Sequence, residues 1–367
     1  MLDELIHMAA TKGVSDIILR EGQPMWVRLH GVVSRTSEPK TDGKSRTITS
    51  SDIVELMRTI EADTGVKHNE LSSVLAGRTG DADFAATIKG IRFRGNVYHT
   101  NNRQLSIALR RLSDTAPSLE TLGLPRAYFD KLLTQSRGLI LVTGGTGSGK
   151  TTTLASTIGY LNQNRSGHII TLEDPVEYLH KSVKCLVDQR QIGRDAPSFA
   201  AGLRASLRED PDIIFIGELR DLETIKTALS AAQTGHLVLA SMHTNNAQQS
   251  VERLTSEFGP EGRALAQVVL SQALLGCLSQ VLVPRANGQG QVLATELMIC
   301  TPDVKSAIRD GKSAGIFNAM DTGSQQGHVM LNRELARLVR EQVISREDAI
   351  YAAYDVLRLE SEMKGIR

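Results

Sequence analysis

Eight consecutive residues carry the strongest chemical signal in this sequence: Gly144-Gly145-Thr146-Gly147-Ser148-Gly149-Lys150-Thr151. They fit the spacing Gly-x4-Gly-Lys-Ser/Thr, in which small residues let the backbone curl until several N–H groups point at one centre. An apolar run at 139–143 precedes them and a helical pattern at 152–161 follows. In that context the helix N-terminus adds partial positive charge to the same centre, so the loop reads as a phosphate cradle and not as a flexible turn. Lys150 is expected to bridge the outer phosphates of ATP, and the Thr151 hydroxyl to ligate Mg²⁺. Thr152 counts with the loop among the nucleotide-contacting residues.

Hydrolysis needs, in addition, a carboxylate that positions water. The segment Asp212-Ile213-Ile214-Phe215-Ile216-Gly217-Glu218 reads as a buried strand ending in an acid. Ligands sit at the carboxyl ends of parallel strands, which puts its tip beside the loop. Gly217 stands where an Mg-binding Asp is usual, so Glu218 is the first candidate for positioning or activating the water. A second strand runs from Ile169 into Glu173-Asp174-Pro175-Val176-Glu177. Pro175 stops it and is expected to turn all three carboxylates into the cleft, with Glu173 and Asp174 contacting Mg²⁺ through water or acting on the attacking water. A third strand, at 237–242, lies between His236 and His243. A histidine near a γ-phosphate donates a hydrogen bond and reports its loss. A turn acid or strand-flanking histidine taken alone is more often structural; the phosphate loop is what raises these residues above that reading.

These residues need a scaffold, and the pattern around them describes one. From Arg137 short apolar strands alternate with helical segments, at 139–143, 152–161, 169–172, 213–217, 222–233 and 237–242. Such alternation implies a parallel sheet covered by helices. Beyond Pro260 the chain reads as mostly helical, apart from a strand near 292–298, and Ser345 with Asp348 opens a last helix. The first 112 residues have a different rhythm. Leu2, Leu5, Ile6 and Ala9 share a helical face, and strands follow at 16–19 and 25–29, with a turn at His30-Gly31. Pro39 to Arg46 reads as a loop, and Ser51-Asp52 as the cap of a helix running to Ile60. Strands at 83–88 and 91–98 flank a Lys89-Gly90 hairpin turn, with another strand at 105–112. The expected organisation is a small α+β domain at 1–112, a linker at 113–120 and an α/β domain at 121–367.

Composition removes several classes. The 367 residues carry 42 basic and 41 acidic side chains, a net charge of +1, which is no polyanion-binding balance. Cys185, Cys277 and Cys300 are odd in number and lack a Cys-x-x-Cys pair, which argues against a disulfide framework and a thiolate zinc site. No basic-then-apolar leader opens the sequence, and no apolar run approaches the roughly 18 residues of a membrane span. The expected location is cytoplasmic.

Taken together, Val14-Ser15-Asp16-Ile17-Ile18-Leu19, the phosphate loop, Glu173-Asp174-Pro175-Val176-Glu177, Leu207-Arg208-Glu209-Asp210-Pro211-Asp212, Gly217-Glu218-Leu219-Arg220-Asp221 and Thr234-Gly235-His236 resemble the ATPases of type II and type IV secretion systems, the pilus-retraction branch most closely. The resemblance spans nearly the whole chain. It implies a PAS-like N-terminal domain hinged to a RecA-like ATPase domain, and a homohexameric ring attached peripherally to inner-membrane platform or secretion-complex proteins. It also implies that Glu177 and Glu218 are the catalytic carboxylates, that His236 and His243 form a histidine box, and that Arg94, Arg103 and Arg110 reach the phosphates from the N-terminal domain. A guanidinium in that place offsets charge on the transferring phosphoryl group. Gly145 replaces the usual Pro of the retraction enzymes, and Asp303-Val304-Lys305-Ser306-Ala307-Ile308-Arg309-Asp310 keeps only part of their Ala-Ile-Arg-Asn-Leu-Ile-Arg-Glu motif. The machine served, a type IV pilus or a type IVB secretion complex, is therefore open at this point. Two rivals of other classes are a nucleotide-gated assembly scaffold with little turnover and a nucleic-acid translocase. Intact Glu177 and Glu218 disfavour the first; the absence of an aromatic-basic stripe disfavours the second.

Overall fold

Alternating apolar positions early in the chain build a six-stranded antiparallel sheet. The computed structural model describes residues 1–11, 13–29, 32–36, 47–64, 73–77, 80–101, 103–112 and 115–365. The turn at His30-Gly31, the loop from Pro39 to Arg46 and Asp114 of the linker lie outside them. Strands β1 (Val14–Arg20), β2 (Trp26–Leu29), β3 (Val32–Arg35), β4 (Asp81–Ile88), β5 (Ile91–Thr100) and β6 (Gln104–Arg111) lie in the order β3-β2-β1-β6-β5-β4. One face packs Ile17, Leu19, Phe93, Val97, Ile107 and Leu109 against helices Leu2–Ala10 and Ser50–Thr64. On the other face Arg94, Arg110, Asp16 and Arg28 stand side by side on four neighbouring strands. Lys89 and Gly90 join β4 to β5 with φ 47 and 82, the two positive values of a type I′ hairpin turn.

The cap of the Ser50–Thr64 helix differs from expectation. Ser51 and Asp52 lie inside the first turn, and Thr49 is the capping residue. Thr49 Oγ1 accepts from the Asp52 backbone N–H at 3.2 Å, while Asp52 Oδ2 accepts from the Thr49 N–H at 2.9 Å. The pair is a reciprocal capping box, which satisfies two N–H groups that the helix itself leaves unpaired.

A second sheet follows, with strands β7 (Gly138–Thr143), β8 (Gly167–Glu173), β9 (Cys185–Gln191), β10 (Ile213–Ile216), β11 (Leu237–Met242), β12 (Leu274–Pro284) and β13 (Gln291–Ile299). Their order is β13-β12-β7-β11-β10-β8-β9, and every pairing is parallel except β12 with β13. Strands β7, β10 and β11 are buried along their whole length, which is why they read as unbroken apolar runs. Leu139, Leu141, Ile214, Ile216, Val238 and Ala240 face helices Leu222–Gln233 and Ala247–Ser256. Ile140, Val142, Ile213, Phe215, Leu237 and Leu239 face helix Lys150–Asn164 and Tyr128.

Three strands depart from the sequence reading: β3 in the first sheet, and β9 and β12 in the second. β12 continues directly from helix Gly259–Ala273 with no Gly or Pro at the junction, so no turn signal marks the change from helix to strand. β9 is a polar edge strand whose side chains alternate weakly between buried and exposed. Nor is the helix capped by Ser345 the last one: Arg346–Ala352 is followed by Val356–Lys364, capped by Asp355. By contact the chain groups into two units, 1–115 with Pro175–Leu179, and 116–174 with 180–367. The grouping of Pro175–Leu179 with the first unit departs from a simple cut at the linker.

Replacing Thr49 with Ala removes one arm of the capping box and is expected to lower the stability of the first unit by about 1 kcal/mol, whereas Thr49→Asp retains most of it. Urea unfolding followed by circular dichroism measures the difference.

Candidate functional site

Because β7, β8, β10 and β11 run parallel, their carboxyl ends fall along one edge of the sheet. The loop 144–149 leaves β7 there. Gly144 has φ +143, and a Cβ at this position would lie 2.4 Å from the Gln280 carbonyl oxygen, so no other residue fits without moving β12. Gly149, at φ 87, turns the chain into helix Lys150–Asn164. Thr151 and Thr152 are half-buried in its first turn. Lys150 Nζ donates to the carbonyls of Gly144 at 2.8 Å and Gly145 at 2.9 Å. Burial lowers the Lys150 pKa, and the Glu218 carboxylate opposes that shift.

The tips of β10 and β11 complete a charged chain. Lys150 Nζ lies 3.5 Å from His243 Nδ1, and His243 Nε2 lies 3.4 Å from Glu218 Oε1. Glu218 Oε2 accepts from Arg220 Nε at 2.7 Å. The backbone below is pinned: the Leu219 N–H donates to the Ser241 carbonyl at 3.0 Å, and Ser241 Oγ donates to the Gly217 carbonyl. Lysine, histidine and glutamate thus converge on the phosphate loop from three different strand ends.

Other expected site residues lie elsewhere. His236 precedes β11, with its Nδ1 beside the Ala231 carbonyl at 3.0 Å, and so stands at the opposite end of a six-residue strand from His243. That separation is about 20 Å, and only His243 is at the phosphate end. The three carboxylates around Pro175 also part company. Glu173 is buried and accepts from Thr171 Oγ1 at 2.6 Å and Gln189 Nε2 at 3.0 Å. Asp174 is exposed. Glu177 belongs to the first unit, with Oε1 3.5 Å from Arg94 Nη1. Burial raises its pKa, against the pull of Arg94 and Arg110. Arg94 and Arg110 face each other across β5 and β6, and Arg110 Nε donates to Asp16 Oδ1 at 2.8 Å. Arg103 does not join them. It sits with φ 72 beyond the Thr100–Gln104 pair, at the far end of the β5–β6 hairpin.

Sequence reasoning missed the support beneath the loop. Gln280, on the unexpected strand β12, donates Nε2 to the Ser148 carbonyl at 2.7 Å. Its Oε1 and the Ser148 hydroxyl are buried without a hydrogen-bond partner. Glu296 on β13 is buried and accepts from the Ala247 N–H at 2.9 Å, at the start of the helix that follows the His243 loop. Burial pushes its pKa up to about 7. A cavity of about 650 Å³ opens from the loop residues 144–148 toward 281–284 and 351–354.

The sequence profile of type II/IV secretion system proteins matches residues 3–345. The chain belongs to the type II/IV secretion system protein family. Within that family it is 39% identical to the type IV pilus retraction ATPase PilT of Pseudomonas aeruginosa over 349 residues, 95% of this chain and 96% of that one. A crystal structure of the pilus retraction motor PilT with bound ADP matches with a TM-score of 0.86 at 40% identity, covering 98% of both chains. The ATPase DotB of Legionella pneumophila matches with a TM-score of 0.80 at 25% identity, covering 100% of this chain and 96% of that one. This secretion-family protein is therefore an α/β, RecA-like ATPase. No helix among the described residues is long and apolar enough to cross a membrane, and none of their His, Cys, Asp and Glu side chains cluster in groups of three that could hold a metal ion.

The folded state binds the Glu296 proton more tightly than the unfolded state, so this group's contribution to stability is fully present below about pH 4.5 and is lost as pH rises through about 7. Glu296→Gln keeps an acceptor for the Ala247 N–H and is expected to stabilise the protein at pH 8 by up to about 3 kcal/mol, with little gain at pH 5. Thermal unfolding of both proteins across that range is the check.

Proposed function

We propose that this ATPase is the motor of a type IV pilus, working in the retraction direction as a cytoplasmic homohexamer docked on inner-membrane platform proteins. The observation that carries the reading is the near-full-length similarity to a pilus-retraction ATPase at 39% identity, against 25% to the DotB structure. A type IVB secretion ATPase is the second reading, favoured by that DotB likeness and by the divergent segment from Asp303 to Asp310.

In the proposed chemistry ATP lies with its phosphates on the backbone N–H groups of the loop from Gly144 to Thr151. Lys150 exchanges its two carbonyl partners for phosphate oxygens, which are stronger acceptors because they are charged. Glu218 takes the proton of the attacking water or orients it, and His243, between Glu218 and Lys150, senses the outer phosphate. Oxygen donors suit Mg²⁺, and the half-buried Thr151 hydroxyl and exposed Asp174 fit that chemistry. Glu173 fits it less well, since its carboxylate is already engaged by Thr171 and Gln189. Bound with ATP, Mg²⁺ would neutralise phosphate charge. In the ring, Arg94 and Arg110 of a PAS-like first unit serve as the second set of phosphate-reading groups, Glu177 serves as the second catalytic carboxylate, and ATP and ADP bias the motor by binding its states with different affinity.

Glu218→Gln is expected to keep ATP binding and to lose turnover by at least roughly a hundredfold. Full turnover in that variant would falsify the role given to Glu218. Deletion of the gene in its source organism separates the two machines. Lost twitching with intact protein secretion supports the pilus reading, and the reverse pattern assigns the chain to a secretion complex.

A further inference from the structure

The phosphate loop accounts for the triphosphate and for nothing beyond it. Ribose and base must extend away from 144–148, and the cavity that opens there continues to a wall of Val281, Leu282 and Val283 and to the segment from Tyr351 to Tyr354. Its volume, about 650 Å³, is within the range of small-molecule sites. Aromatics make up only 4% of the chain, yet two tyrosines stand three residues apart on this rim. Tyr351 is 95% exposed and Tyr354 45% exposed, so neither ring is spent on packing the core. The Tyr354 hydroxyl donates to the Asn245 carbonyl, two residues past His243, which fixes that ring relative to the site. Burial pushes the Tyr354 pKa up and keeps the hydroxyl a donor.

Resting on the ATP reading above, we propose that Tyr351 and Tyr354 form the platform on which the base of the bound nucleotide stacks. This C-terminal segment, and not the phosphate loop, then separates ATP from a bare triphosphate. A ring face offers a purine a large stacking surface without a hydrogen-bond code, and Val281, Leu282 and Val283 add apolar lining to the same cavity.

The test uses the full chain carrying Glu218→Gln, so that ATP persists, and compares ATP with inorganic triphosphate by isothermal titration calorimetry. Tyr351→Ala with Tyr354→Ala is expected to weaken ATP roughly ten- to hundredfold and to leave triphosphate affinity unchanged. Tyr351→Ala alone, at an exposed position where folding is not at stake, gives a smaller loss of the same selectivity. Tyr354→Phe, which keeps the ring and drops the bond to Asn245, retains ATP affinity. Equal weakening of both ligands, or unchanged ATP affinity in the double variant, overturns the platform. Loss of both ligands in Lys150→Ala alongside normal binding by the parent keeps the nucleotide reading intact in that event. Binding of neither ligand by the parent overturns the nucleotide reading and the platform with it.

Discussion

One ammonium group organises this site. Lys150 Nζ holds the two carbonyls that begin the phosphate loop and lies beside His243, whose other ring nitrogen faces Glu218. Lys150 is buried, and its charge is costly there unless anionic or strongly dipolar partners surround it. The loop carbonyls and Glu218 supply them in the free protein, and the phosphates of ATP are the better partner. Everything else follows from keeping three strand ends at the reach of one lysine. Parallel pairing of β7, β11 and β10 sets the ends on one edge.

The loop itself is held from behind. Gln280 ties the Ser148 carbonyl, and the backbone of Gln280 lies so close to Gly144 that only a glycine passes. Both contacts come from β12, which pairs with β7 and with β13. On β13, Glu296 holds the first N–H of the helix after His243, while Tyr354 holds Asn245. The C-terminal part of the chain therefore grips both sides of the phosphate site, the loop and the histidine turn.

Much of this was legible in the sequence, and what was not has physical reasons. The loop spacing and the buried strands flanking it stand out because four to six apolar residues between turns have few other uses. Strand polarity separates the two histidines: both flank β11, and in a parallel sheet ligands sit at the carboxyl end, where His243 stands. The acids around Pro175 were grouped by their nearness in sequence, yet Glu173 completes an edge-strand pairing and Glu177 faces Arg94. A positive φ in the hairpin turn takes Arg103 away from Arg94 and Arg110, a change of direction that position in the sequence does not reveal. Gln280 was invisible because its strand runs on from a helix with no punctuation, and a glutamine inside an apolar run announces no role.

Lys150, His243 and Glu218 are expected to form a hydrolytic site and not merely a nucleotide clamp. Single-turnover hydrolysis tests it most directly: assembled full chain in excess over ATP with Mg²⁺, and release of inorganic phosphate followed in time. The bound ATP is expected to be converted to ADP and phosphate by the protein alone. ATP that stays bound and intact through many binding lifetimes would contradict it and leave a nucleotide-gated scaffold in its place.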